Sequence, residues 1–142
     1  MDQTAIVVTS SLSGLPLFLV FAGSCIVALA AFIFLYTLIT PHHELTLVRQ
    51  GNTAASISFG GAVIGFVIPL SQAVAQSVNL LDMGIWAVIA LVVQIVVFFL
   101  ASLLLKGASK KIEAGDLAAG AFLALMAVAG GILNAACMTY TD

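Results

Sequence analysis

The chain has 142 residues, 63 % hydrophobic and 7 % charged, with six acidic against four basic side chains and a mean hydropathy of +1.25. A soluble domain is about 25 % charged, and so few charges cannot cover the surface of a chain this small. The balance excludes a soluble monomer, a nucleic-acid binder and a disordered tail, and points to an all-α integral membrane protein.

A helix needs about 20 apolar residues to cross the hydrocarbon core. The chain offers four such runs, near 15–39, 53–74, 83–105 and 117–138. They fill most of residues 1–142 and leave room for one domain only. Residues 1–14 lack the basic n-region of a signal peptide, so the first run reads as an uncleaved span, with Thr4 to Leu12 as a loose or interfacial lead-in. Thr40-Pro41-His42-His43-Glu44 closes the first span. Thr40 and Pro41 would open a short interfacial helix whose polar face carries His42, His43 and Glu44. Two imidazoles and a carboxylate also suit a metal or a pH sensor. Adjacent helical positions point about 100° apart, however, so the interfacial reading is favoured.

All four basic residues, Arg49, Lys106, Lys110 and Lys111, lie in the loops after the first and third spans. The positive-inside rule puts those loops in the cytoplasm and both termini outside. Asp2, Asp82 and Asp142 then lie on the outer side. The two loops also resemble each other. Gly51-Asn52-Thr53-Ala54-Ala55-Ser56 matches Gly115-Asp116-Leu117-Ala118-Ala119-Gly120, each with a glycine and then an Asn or Asp suited to cap a helix. This predicts two tandem helix-hairpin repeats about an axis along the membrane normal.

Helices in lipid associate through small residues. In the second span Ala54, Ser58, Gly61 and Gly65 share a face, with Gln72 further along the stripe. In the fourth, Gly120, Ala124, Ala127, Gly131 and Ala135 do the same, with Asn134 beside them. These two helices are expected to form the centre of the bundle. Pro69 should kink or end the second span and free a carbonyl, for which Ser71, Gln72 or Asn134 could serve as partner.

No ionisable residue lies in the middle of a span, which argues against proton-coupled transport. Gln72, Gln94 and Asn134 are the candidates for a polar lining. For Gln94 and Asn134, the deepest, an interhelical hydrogen bond is the favoured role. Cys25 and Cys137 differ in depth, which disfavours a bridge between them and suggests buried free thiols. The sequence contains no catalytic constellation, metal spacing or cofactor motif.

Five segments in order, Thr40-Pro41-His42-x-Glu44, Asn52-Thr53-Ala54-Ala55-Ser56, Gly65-x-x-Ile68-Pro69-Leu70-Ser71, Ala119-Gly120 and Gly130-Gly131-Ile132-x-Asn134-Ala135-Ala136-Cys137-Met138, resemble the YjfL-like bacterial inner-membrane family, which carries the domain of unknown function number 350. The similarity runs from the middle of the first span to Tyr140. His43 departs from the Asn or Asp expected there, and the first dozen residues are longer than the family pattern. The resemblance implies a four-helix bacterial inner-membrane protein, no enzyme activity, and a link to envelope stress with a membrane-stress protein partner. It assigns no residue a role.

Two functional readings follow. The first is a non-enzymatic, homo-oligomeric scaffold of the inner membrane, whose partners are lipid and further copies of itself. The second is a passive pore or channel for a small solute or ion, lined by Gln72, Gln94 and Asn134.

Overall fold

The computed structural model describes residues 2–138; Asp142 and Tyr140 lie outside them. Seven helices follow one another among the described residues: α1 Gln3–Ser13, α2 Leu15–Ile39, α3 Glu44–Arg49, α4 Thr53–Gln76, α5 Leu80–Leu104, α6 Ala108–Glu113 and α7 Leu117–Cys137. The described residues contain no strand. Four stretches, Gln3–Ile39, Thr53–Gln76, Leu80–Leu104 and Leu117–Cys137, are long and apolar enough to cross a membrane.

The lead-in is a helix rather than a loose segment. α1 continues into α2 with a break only at Gly14, and Pro16 sits within the first turn of α2. The hydroxyls of Thr9, Ser10 and Ser13 turn back onto carbonyls one turn earlier, which hides their polarity within an apolar helix. No residue of α1 is buried. The combined 37 residues extend about 55 Å, well beyond a hydrocarbon core of about 30 Å.

The short helices α3 and α6 end in the same way. Gly51 and Gly115 adopt φ of 81° and 79°. Gly51 N–H donates to Val48 O and Asn52 N–H to Leu47 O; Gly115 N–H donates to Ile112 O and Asp116 N–H to Lys111 O. This paired arrangement satisfies the last carbonyls of a helix and requires a residue without Cβ at the left-handed position. The next residue caps the following span: Asn52 Oδ1 accepts from Ala55 N–H, and Asp116 Oδ1 from Ala118 and Ala119 N–H. Asn52 also donates from Nδ2 to Ile112 O at 2.8 Å, tying the two turns together at one end of the bundle. At the opposite end Asn79 caps α5 by accepting from Asp82 N–H at 2.9 Å. That cap starts the helix at Leu80, ahead of the apolar run itself.

α4 and α7 form the centre, running parallel. Cβ atoms added to Gly120, Gly61, Gly65 and Gly131 would collide with Ala54, Ala124, Ala127 and the Gly65 backbone respectively. Backbone therefore meets backbone along the seam, which is how helices gain contact where lipid supplies no hydrophobic drive. Pro69 is buried, yet α4 continues past it to Gln76. The Gly65 carbonyl, which loses its helical donor to Pro69, lies against Gly131 of α7. Ser71 does not supply the partner; its hydroxyl donates to Ile68 O at 2.7 Å.

α5 packs against both central helices, and α2 is seated mainly through aromatic rings. Phe32 and Tyr36 are the buried residues of α2. Phe32 stacks on Phe66 of α4 at 4.4 Å between ring centres, and Tyr36 meets the edge of Phe98 of α5 at 5.4 Å. Cys25 and Cys137 are both free, and Cys137 is exposed rather than buried. Its position on the outward face of α7, next to exposed Ala136, explains the difference.

Candidate functional site

The polar-lining candidates differ in burial and in partners. Gln94 is buried and donates from Nε2 to Ala127 O at 3.1 Å, filling the space beside Gly65. Its Oε1 and the Nδ2 of buried Asn134 have no partner. Asn134 stands two turns, about 10 Å, beyond Ala127 along α7. Gln72 is only half-buried. Gln94 and Asn134 thus lie about two turns apart along the bundle, and Gln72 is more exposed than either. Ser58, named for its small size, and Ala54 are buried in the seam, whereas Ala135 lies at its margin.

The dense polar cluster lies elsewhere, at the end that carries Arg49, Lys106, Lys110 and Lys111. His42 and Glu44 do not form an exposed interfacial face. They are 1 % and 0 % exposed, and only His43 between them points outward. The cause is tertiary. The chain turns after Thr40, whose hydroxyl closes α2 on Tyr36 O at 3.0 Å, and α3 folds back against α4. Glu44, the first residue of α3, thereby reaches Ser58, which lies about 8 Å along α4 from its start.

Glu44 Oε1 accepts from three sides. His42 Nε2 lies at 2.9 Å, Ser58 Oγ at 3.4 Å and the Tyr36 hydroxyl at 3.5 Å. The other imidazole nitrogen, Nδ1, meets Ser109 Oγ of α6 at 3.0 Å. The Phe98 ring stands beside both Tyr36 and His42 and screens the pair. Glu44 Oε2 is buried without a partner. Ser109 also lines a cavity of about 370 Å³ with Pro41, Phe98, Ser102 and Lys110. The chain of polar contacts thus runs from that cavity through Ser109 and His42 to Glu44.

A buried carboxylate costs several kcal/mol unless paired and hydrogen-bonded. The cluster can hold charge or a proton at Glu44. It lacks the set for metal binding, since no group of three His, Cys, Asp or Glu comes together among the described residues. Tyr36 and Ser109 were not singled out from sequence, and Thr40, expected to open the following helix, instead closes α2. The signal lay in the spacing His42-x-Glu44, whose intervening residue, His43, is the one that faces outward.

Four apolar helices around a glycine seam define an integral membrane protein. The family described as Domain of Unknown Function (DUF350) matches residues 10–138, and the chain belongs to it. It is 48 % identical over 109 residues to the UPF0719 inner membrane protein YjfL of Escherichia coli strain K12, covering 77 % of this chain and 83 % of that protein. The YjfL protein of Escherichia coli O157:H7 matches to the same extent. No solved structure matches.

Proposed function

We propose that the chain is a non-enzymatic, homo-oligomeric structural component of the bacterial inner membrane, acting as a scaffold in the response to envelope stress. The observation that carries this reading is the α4–α7 seam, where glycine backbones of one helix lie on the backbone of the other. A centre built this way leaves no lumen within one copy, and Gln94 spends its amide on Ala127 O. Inner-membrane residence is supported by the names of the two YjfL relatives. The stress role rests on the family resemblance.

Self-association is supported by the loose seating of α2. Between α2 and α5 runs an open apolar groove of about 600 Å³, with Gly23 and Ala28 on one wall and Gly84 and Ala87 on the other. The identical Gly51 and Gly115 turns, and the parallel packing of α4 on α7, support a duplicated hairpin. The four basic residues support cytoplasmic placement of the α3 and α6 end, with both termini outside. A membrane-stress protein partner would meet the bundle through the bilayer or through residues 44–50.

Subunit counting in nanodiscs of native lipid tests the reading. A fixed stoichiometry above one supports it. A monomer at membrane-like density overturns it. Labelling of Cys137, which is exposed, by an impermeant thiol reagent from outside intact inner-membrane vesicles of known orientation checks the sidedness.

A further inference from the structure

The geometry points to a proton-binding site at Glu44, loaded and unloaded from the basic end of the bundle through Ser109 and His42. Three observations carry it. Glu44 is fully buried, and one of its carboxylate oxygens has no partner. Its other oxygen sits 2.9 Å from His42 Nε2. His42 Nδ1 sits 3.0 Å from Ser109 Oγ, and Ser109 belongs to the wall of the adjoining cavity. Each step is therefore a single hydrogen bond between groups that both give and take protons. The site is independent of whether the chain assembles, and it revises the inference drawn from span centres alone. The ionisable group enters the bundle from a connecting segment, not from a span.

The transfer balances without a further reactant. It begins with Ser109 O–H donating to Nδ1 and Nε2–H donating to the Glu44 carboxylate. A hydronium in the cavity gives a proton to Ser109 Oγ, whose own proton passes to Nδ1, and the Nε2 proton passes to Glu44 Oε1. Water, neutral Ser109, neutral imidazole in its other tautomer and a neutral carboxyl remain. Unloading runs the same steps backward and restores the first tautomer, so no ring flip is needed. The groups around Glu44 suit a site that changes charge. α2 supplies the Tyr36 phenol and α4 the Ser58 hydroxyl. α5 supplies the Phe98 ring, and its sole titratable residue, Asp82, is near its far end. α6 supplies Ser109, with Lys110 on the cavity wall. The titratable residue of α7 is Cys137, at its far end. Each link is a hydrogen bond between groups that exchange protons, so the proton is the ligand that can pass along it.

Infrared difference spectroscopy of the full chain in nanodiscs, stepped between about pH 4 and about pH 9, tests the site. A buried carboxyl absorbs away from hydrated ones. The expected result is a reversible band of a protonated, weakly hydrated carboxyl that Glu44→Gln removes and Tyr36→Phe shifts. After a rapid pH step, Ser109→Ala and His42→Gln should slow its appearance by about tenfold or more. If Glu44→Gln does not fold, Tyr36→Phe still identifies the band by its displacement. A spectrum with no such band, or one that Tyr36→Phe leaves in place, overturns the site. An unchanged rate in both Ser109→Ala and His42→Gln overturns the route.

Discussion

Replacing Gly131 by alanine adds one methyl group at the point where α7 touches the α4 backbone. The new Cβ would lie 2.8 Å from both Cα and carbonyl carbon of Gly65, and closer still to its oxygen. Carbon atoms rest about 3.5–4.0 Å apart, so the helices must part locally by about 1 Å. No side chain can yield, because the obstacle is backbone. A gap of 0.5–1 Å forfeits roughly a quarter to a half of each neighbouring dispersion contact, and the Gly61–Ala124 contact shares the seam. Overpacking costs about 1–3 kcal/mol, and the absence of a flexible neighbour puts this substitution toward the upper part of that range. The assay is reversible unfolding in mixed detergent micelles, followed by the fluorescence of the single tryptophan, Trp86. Gly60→Ala is the control. A Cβ there meets nothing within 4 Å, so it should be neutral or stabilise by up to about 1 kcal/mol. Equal stability of Gly131→Ala and Gly60→Ala would refute the backbone seam.

Three further outcomes are expected in the same assay. Gln94→Leu removes one interhelical hydrogen bond to Ala127 O and should cost only about 0.6 kcal/mol, with a ceiling near 1.7. Asn52→Ala removes a cap and also the tie to Ile112 O, so it should cost more than Asp116→Ala, which removes a cap worth about 1 kcal/mol. His42→Ala leaves Glu44 buried without its shortest hydrogen-bond donor and should cost about 1–3 kcal/mol; a combined His42→Leu and Glu44→Leu variant should be less damaged than His42→Ala, which a double-mutant cycle reads directly.

The spans were legible because apolar runs of membrane length, broken by Gly51-Asn52, Lys106-Gly107 and Gly115-Asp116, leave few alternatives for a chain with ten charges. The glycines that meet across α4 and α7 recur at helical spacing, a property the sequence displays locally. Glu44 and His42 were not legible as buried groups. Their surroundings come from Tyr36, Ser58, Ser109 and Phe98, on four different helices. Read locally, a His-His-Glu run after proline belongs at an interface. Only the return of α3 onto α4 brings it inside. The lead-in from Thr4 to Leu12 was also misjudged as loose: the αR backbone of Gly14 lets α1 run on into α2.

The sealed centre is the claim on which the scaffold reading stands. Ion and small-solute flux through purified protein in proteoliposomes tests it most directly, with Asn134→Leu and Gln94→Leu measured beside it. The account predicts flux no greater than that of protein-free vesicles under each gradient and voltage, in the wild type and in both variants. Flux in the wild type that either substitution abolishes, while the protein remains folded, would contradict it and make the bundle a channel.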